Sequence, residues 1–340
     1  MISITRTIAG LKRTSGACTS GHVYCARVST FVLLGALALV PPVLGASSRH
    51  LKRSFLGRWD LTVQTPSEEF PSWIEVTENK GQVTVSLVGR TGNVHVLPKA
   101  EIRNGEITFI SSKEVEDRKD DMVFRGKFAG DQLVGTTVGP DGTPWRWTGK
   151  RAPTLKRDGV TKWGQPITLF NGRNLDGWRF SNPSQATNWK VDDGLLVNSG
   201  NGSEIISEPT FTDFKLHVEF KCGPISNSGV YLRGRYEVQV ETDSAAKTPS
   251  HHTGGIYGFI GPIPEQPRKD GVWQIFDITF VGRIVTVIQN GITVIDHKAI
   301  PGITGGALDS HEELPGPIYL QGSEEGTVAY RNIVISPAVK

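Results

Sequence analysis

Short runs of alternating apolar and polar residues recur through most of this 340-residue chain. Neighbouring side chains of a β-strand point to opposite faces, so such alternation predicts strands with one buried face. From 55 to 152 the runs are separated by turn pairs such as Asn104-Gly105 and Asp141-Gly142, which favour tight hairpins. The pattern predicts a small up-and-down antiparallel barrel or sandwich in this part of the chain.

Longer strands with cleaner faces are predicted from Ile167 onward. The run DFKLHVEFK (213–221) alternates apolar and polar residues throughout, and RIVTVIQNGITVIDH (283–297) predicts a hairpin that turns at Asn290-Gly291. Many strands with no helix between them predict two packed antiparallel sheets over 166–338. The segment 153–165 has Pro near both ends and little periodicity, which is typical of a linker.

The first 45 residues have the pattern of a cleavable leader. Four basic residues precede an apolar run from Phe31 to Val40, and small or β-branched residues follow it at 43–45. We therefore expect a secreted or periplasmic protein whose true start could lie downstream of Met1, near Val28. A membrane anchor is the alternative, but a span needs about 20 apolar residues and Pro41-Pro42 interrupts this run.

Loss of the leader changes the charge and the cysteine content. The remaining chain carries 33 Lys and Arg against 34 Asp and Glu, because all four charged residues of the leader are basic. No basic block is left, which argues against nucleic acid as a partner. Cys222 is then the single cysteine, so no internal disulfide can form, and we expect a buried thiol there.

The segment SGVYLRGRYEVQVET (228–242) carries the most unusual row of polar residues. Interpreted as one strand, its even positions are apolar or small, and its odd positions are Tyr231, Arg233, Arg235, Glu237, Gln239 and Glu241. Guanidinium and amide groups suit the binding of hydroxyl and carbonyl groups. A solvated sheet face held by ion pairs is the alternative interpretation.

Several segments resemble known families. The opening GRWD (57–60) is similar to lipocalin-like domains, and the second domain is similar to the concanavalin A and laminin-G type of jelly roll. EVQVE (237–241) resembles the Glu-x-Asp-x-Glu strand of laminarinase-type retaining glucanases, with Gln239 in place of the Asp. Across 166–338 the chain resembles secreted bacterial 3-keto-disaccharide hydrolases, also described as 3-keto-glucoside 1,2-lyases and 3-keto-2-hydroxyglucal hydratases. The segments that carry this resemblance are ITLFNGRNLDGWRF, WKVDDGLL, FTDFKLHVEFK, NSGVYLRGRYEVQV, TGGIYGFIGP, WQIFDITFVGRIVTVIQNG and GPIYLQG.

This resemblance implies cleavage of 3-keto-glycosides by removal of the C2 proton, β-elimination at C1 and addition of water. Such a site needs a base, hydrogen-bond donors for the enolate oxygen and a proton donor for the leaving oxygen. We expect Glu237 as the base and Arg233 and Arg235 as the clamp on enolate and hydroxyl groups. Gln239 would bind a hydroxyl group, and Glu241 or His252 would protonate the leaving oxygen.

Further side chains are expected to bind the sugar. They are Tyr231, Asn227, His251, Tyr257, Trp273 and Gln321. No cofactor is required by this chemistry, but a divalent metal held by one histidine with Asp243 or Glu241 would also polarise the ketone. The implied functional partner is an oxidoreductase that forms the ketone. A carbohydrate-binding module without activity and a conventional retaining glycosidase are the alternative functions.

Overall fold

Eight antiparallel strands close into a barrel in the computed structural model, which describes residues 44–115, 118–155, 162–241, 248–323 and 325–339. Each strand pairs with the next along the chain, and β8 pairs with β1. The prediction of an up-and-down barrel is therefore confirmed. The strands are β1 (Gly57–Gln64), β2 (Glu69–Asn79), β3 (Gln82–Val88), β4 (Val94–Arg103), β5 (Glu106–Ser111), β6 (Met122–Ala129), β7 (Gln132–Val138) and β8 (Pro144–Arg151).

The barrel interior follows the alternation of the sequence. Trp59, Leu61 and Val63 of β1 point inward with a few per cent exposure or less. Trp147 fills the barrel where Gly126 and Gly135 stand, since a Cβ at either glycine would overlap its ring. These residues make a continuous apolar core in the barrel.

A helix, α1 (Leu44–Phe55), precedes the barrel and was not predicted. It begins within the last two residues of the predicted leader; residues 1–43 lie outside the described part of the chain. Over the described residues, no helix combines the length and the apolar character needed to cross a bilayer. The leader and the secreted location stay predictions.

The second half of the chain folds into two packed antiparallel sheets, so the jelly-roll class is confirmed. The five-stranded sheet has the order β11-β14-β21-β16-β17, and the nine-stranded sheet has the order β12-β13-β22-β15-β18-β19-β20, with β9 and β10 pairing with β22. The strands are β9 (Lys162–Trp163), β10 (Ile167–Thr168), β11 (Trp178–Phe180), β12 (Trp189–Asp192), β13 (Leu195–Asn198), β14 (Ile205–Phe211), β15 (Phe214–Cys222), β16 (Ser228–Leu232), β17 (Tyr236–Val240), β18 (Gln274–Val281), β19 (Ile284–Gln289), β20 (Ile292–Ala299), β21 (Gly316–Leu320) and β22 (Val328–Val339).

The two sheets enclose the larger apolar core. On β15, Phe214, Leu216, Val218 and Phe220 are buried as the alternation predicted. Asn290 and Gly291 both have positive φ and form the predicted turn between β19 and β20. Cys222 is free and buried in this core.

The barrel and the sandwich share apolar packing within one compact unit, Leu44–Lys340. Trp73 of β2 is 1% exposed, belongs to the sandwich core and meets Phe259 edge to face at 5.7 Å between ring centroids. Backbone and side-chain hydrogen bonds also cross this boundary, among them Gly306 N to the Arg90 carbonyl oxygen at 2.9 Å. The barrel is therefore fixed against the sandwich, and its position determines what surrounds the five-stranded sheet.

Candidate active site

The polar segment around Glu237 forms a hairpin. Strands β16 and β17 are joined by a turn at 233–235, where Arg233 and Gly234 have φ of 53° and 68°. The prediction of one continuous strand over 228–242 is therefore wrong. The register pairs Tyr231 with Glu237 and Gly229 with Gln239, so odd residues still face odd residues across the hairpin.

A cleft of about 700 Å³ lies over this face of the five-stranded sheet. Half of the twelve predicted site residues line it: Asn227, Tyr231, Glu237, Gln239, Tyr257 and Gln321. Their backbone positions lie at 227–239, in the loop at 257 and just after β21, so three distant segments meet here.

Glu237 is a buried carboxyl group of the cleft with a strongly shifted pKa. Its side chain is 3% exposed, and its Oε2 accepts a 2.8 Å hydrogen bond from the Tyr231 hydroxyl. Burial raises the pKa of Glu237 to about 8; the Tyr231 hydrogen bond opposes the rise, and the charges of Glu204 and Glu241 add to it. A carboxyl group that titrates near neutral pH is suited to take up and release a proton.

Tyr231 holds Glu237 and has one hydroxyl proton for two acceptors. Its Oη lies 2.8 Å from Glu237 Oε2 and 2.9 Å from the carbonyl oxygen of Gly305. When Glu237 is ionised, Tyr231 donates to it; when Glu237 is protonated, the carboxyl group can donate to Oη and Tyr231 can donate to Gly305. Glu237 Oε1 accepts no hydrogen bond from the described residues and is the oxygen left for a ligand.

Two glycines make room for this pair. A Cβ at Gly229 of β16, which pairs with Gln239 and lies diagonally opposite Glu237, would overlap Glu237 Oε1. A Cβ at Gly306, which has φ of +77°, would overlap the Tyr231 hydroxyl. The local sequence therefore permits the Tyr231–Glu237 contact because both positions lack a side chain.

Two further cleft residues were missed by the sequence analysis. Glu204 precedes β14, and one of its oxygens accepts a hydrogen bond from the backbone of Gly322. Tyr319 of β21 stacks on Tyr231 with ring centroids 4.2 Å apart, and burial raises the pKa of Tyr319 well above its usual value. Tyr319 lies within the segment GPIYLQG, which carried part of the family resemblance, whereas Glu204 belongs to no recognisable motif.

Amide groups at the cleft wall retain free acceptor atoms. Asn227 Oδ1 and Gln321 Oε1 are buried, and neither has a hydrogen-bond partner in the part of the chain that the structure describes. An unpaired buried acceptor is costly, and a hydroxyl group of a ligand would satisfy it. These two atoms therefore favour a ligand with several hydroxyl groups.

Arg233 and Arg235 do not line the cleft. Arg233 is 1% exposed and donates to the carbonyl oxygen of Glu312. Arg235 Nε lies 2.6 Å from Asp309 Oδ1, and its Nη1 donates to the carbonyl oxygen of Leu314 at 3.0 Å. Because the left-handed turn directs both side chains toward the loop 309–314, their expected role as a clamp on the substrate has no geometric support.

The other predicted residues also lie outside the cleft lining. Glu241 accepts from Gln239 Nε2 at 2.9 Å, and His252 Nδ1 lies 2.9 Å from Glu265 Oε1. His251 stacks on Tyr257 at 4.6 Å and bonds Asn93 of the barrel. Trp273 is covered by the guanidinium group of Arg331 at 3.9 Å. Of these, His251 is placed to act on the cleft through Tyr257.

A metal role for the histidines stays a prediction. Within the described ranges, no group of three or more His, Cys, Asp or Glu side chains is arranged to hold a metal ion. Asp243, one of the proposed ligands, lies outside the described residues.

The barrel forms the opposite wall of the cleft. Glu68, Phe70, Arg90 and Thr91 line it together with the sandwich residues. Arg90 Nη2 and Glu68 Oε2 form an ion pair at 2.7 Å with both side chains partly exposed. The cleft is therefore enclosed by two domains, one of which carries Glu237.

Comparison with known proteins places residues 165–336, about half of the chain, in the family described as the 3-keto-alpha-glucoside-1,2-lyase-like domain. A relative from Bacteroides thetaiotaomicron named 3-keto-disaccharide hydrolase is 20% identical over 167 residues, which cover 38% of this chain. The aligned region spans 58% of that relative's length.

Some solved structures are also similar to part of the chain. One, a Parabacteroides distasonis protein described as a candidate glycosyl hydrolase, is 19% identical with a TM-score of 0.41, covering 51% of this chain and 93% of that one. Another, the carbohydrate-binding module CBM66 of Bacillus subtilis, is 14% identical with a TM-score of 0.34, covering 48% and 97%.

Proposed function

The chain belongs to the 3-keto-α-glucoside-1,2-lyase-like family, and from this premise we propose that it cleaves 3-keto-glycosides by elimination followed by hydration. The observation that carries the proposal is Glu237, a buried carboxyl group in the cleft whose pKa is raised to about 8. A base of this strength is matched to a carbon acid that a neighbouring ketone has activated.

The reaction begins with the ketone at C3, which makes the C2 proton acidic. Glu237 Oε1 takes this proton, and the electron pair of the C2–H bond passes into the C2=C3–O⁻ enolate. The enolate then re-forms the ketone, a C1=C2 double bond forms, and the C1–O bond breaks with its electrons on the leaving oxygen. Water adds across the C1=C2 bond of the resulting 2-hydroxy-3-keto-glycal, so the net result is hydrolysis.

Neighbouring side chains supply the other requirements of the reaction. Tyr319, whose raised pKa keeps its hydroxyl protonated, is the proposed donor to the enolate oxygen. Glu204, another carboxyl group that lines the cleft, is the proposed proton donor to the leaving oxygen. Asn227 and Gln321 offer their free carbonyl oxygens to hydroxyl groups of the sugar.

The test compares a 3-keto-glucoside with its unoxidised parent, each in water and in heavy water, with products followed by mass spectrometry. We expect cleavage of the keto form alone, with deuterium incorporated at C2. Replacement Glu237→Gln keeps an acceptor for Tyr231 but removes the base, and it should lower kcat by about 10²–10⁴-fold.

A matched control is Glu219→Gln, which makes the same change on the other sheet, where Glu219 pairs with Arg331 at 2.7 Å. It should leave kcat unchanged. Cleavage of the parent glucoside would instead favour a conventional retaining glycosidase. Binding of the sugar without cleavage of either compound would favour a carbohydrate-binding module and reject the proposed reaction.

A further inference from the structure

A second cavity of about 330 Å³ opens at one end of the barrel. Its wall is mainly apolar and includes Val63, Phe70, Leu87, Met122, Phe124 and Trp145. All six residues lie at the same end of the barrel, where β1 and β3 finish and β2, β6 and β8 begin. The cavity is therefore the mouth of the barrel.

The mouth remains open because the two tryptophans of β8 take different positions. Trp147 is 1% exposed and fills the barrel below the cavity, against Phe109. Trp145 lies along the wall, where its ring meets Phe70 edge to face at 5.7 Å and its Nε1 donates to Thr143. Trp147 thus fills the barrel interior, and Trp145 forms part of the cavity wall.

The cavity adjoins the cleft that contains Glu237. Glu68, Phe70, Arg90 and Thr91 line both spaces. Of these two adjoining spaces, together called the hollow, the cleft is the more polar and contains Glu237, and the barrel cavity is mainly apolar and contains Trp145. A ligand that fills both must have a polar and an apolar part.

We propose that the barrel mouth binds the leaving group, so that the substrate is a 3-keto-glycoside with an apolar, ring-bearing aglycone rather than a second sugar. This inference rests on the proposed function, because it assigns the sugar to the Glu237 side of the hollow. An apolar cavity of about 150 Å³ binds one benzene ring, so a cavity twice that size suits an aglycone of one or two rings. The cavity wall also includes Ser111, Arg118 and Asp141, but hydroxyl groups of a second sugar that faced Leu87, Met122 and Phe124 would lose their hydration without gaining partners from those side chains.

The test uses two 3-keto-glucosides that differ only in the ring, namely the ethyl and the 2-phenylethyl glycosides. Both release a primary alcohol, so the chemistry of the leaving oxygen is closely matched. We expect kcat/KM to be about 10- to 100-fold higher for the 2-phenylethyl compound, because the phenyl group would be buried in the mouth.

Substitutions Met122→Trp and Leu87→Trp fill the cavity from different strands and leave the cleft residues unchanged. Each should bring the ratio of the two kcat/KM values close to one without changing the value for the ethyl glycoside more than about twofold. Val96→Trp, which places the same indole on an outward, 66% exposed position of β4, should keep the wild-type ratio. Thermal unfolding identifies any variant that fails to fold. If one of the two cavity-filling variants does not fold, the ratio measured for the other one tests the inference.

The outcomes separate this inference from the proposed function. Cleavage of the ethyl glycoside with a wild-type ratio near one would overturn the aglycone assignment and leave the reaction standing. A high ratio that persists in a folded, cavity-filled variant would overturn it as well. If neither 3-keto-glucoside is cleaved, the proposed function fails and the aglycone assignment fails with it.

Discussion

At the residue scale, the ionisation of Glu237 should control the pH dependence of activity. The base must be a carboxylate, and burial raises its pKa to about 8. We therefore expect kcat/KM for a 3-keto-glucoside to rise with pH, with the midpoint of the rising limb near pH 8. The measurement is a pH–rate profile from pH 5 to 10.

Removal of the Tyr231 hydroxyl tests the origin of that profile. The hydrogen bond from Tyr231 lowers the pKa of Glu237, so Tyr231→Phe should move the rising limb to higher pH and reduce activity most at neutral pH. A purely structural role for Tyr231 would lower the rate at every pH and leave the limb where it was.

Residue types alone identified part of the site. The alternation in segment 228–242 predicted Tyr231, Glu237 and Gln239 as site residues, because acids and amides in alternate positions are uncommon on a strand. The same reasoning could not place Arg233 and Arg235, since the direction of their side chains depends on a left-handed turn. Glu204 carried no local signal, because its relation to Glu237 exists only after β14 and β17 join one sheet.

At the element scale, the hairpin β16–β17 explains why a wrong strand assignment still selected residues that line the cleft. The three-residue turn 233–235 pairs Leu232 with Tyr236, and every odd residue then opposes another odd residue. Cross-strand partners share a face of the sheet. The odd residues of the hairpin therefore share one face, as they would on a single strand, but they lie on two paired strands side by side.

The absence of a side chain at Gly229 is a testable feature of this hairpin. A Cβ there would overlap Glu237 Oε1, so Gly229→Ala should displace the carboxyl group and lower kcat/KM about 10²-fold in a folded protein. Gly223→Ala is the matched control, because its Cβ would meet only ordinary contacts at 3.4 Å and beyond. Equal activity of the two variants would contradict this prediction, because it would show that a Cβ at position 229 does not impair Glu237.

At the scale of the whole molecule, a buried pair of acids lies where the barrel meets the sandwich. Asp60 of β1 is 5% exposed, and Glu312 of the sandwich is fully buried. Burial raises the pKa of Asp60 to about 9, with further increases from the charge and hydrogen bond of Glu312 and from the charge of Glu313, while Arg283 opposes the rise. Asp60 is therefore protonated in the folded protein at neutral pH.

This protonation should make stability depend on pH. A carboxyl group with a raised folded pKa stabilises the folded state fully below its unfolded pKa, about 4, and the contribution is lost as pH rises to about 9. The free energy of unfolding in urea should fall over this range and change much less in Asp60→Asn, which remains neutral. Asp131→Asn, in an exposed turn of the barrel, should retain the wild-type slope. An unchanged slope in Asp60→Asn would contradict the assignment.

The arrangement of the two domains could not be predicted from the sequence. Alternation identified the barrel and the sandwich separately, and the family resemblance covered only the sandwich. Trp73 had the pattern of an ordinary strand residue, yet it belongs to the sandwich core. Contacts between the barrel and the sandwich depend on how two folded surfaces fit together. A local sequence pattern contains no information about that fit.

The two walls of the cleft come from parts of the chain that are far apart in sequence, with Phe70 and Arg90 on one side and Glu237 on the other. In the proposed reaction, mutations in the barrel strands would therefore alter which leaving group is accepted while Glu237 and its neighbours in the sandwich stay unchanged. Selection could then act separately on the choice of leaving group and on the proposed bond cleavage. On the proposed function, a lineage that exchanges or reshapes its barrel would acquire new substrates without changes in the sheet that carries Glu237.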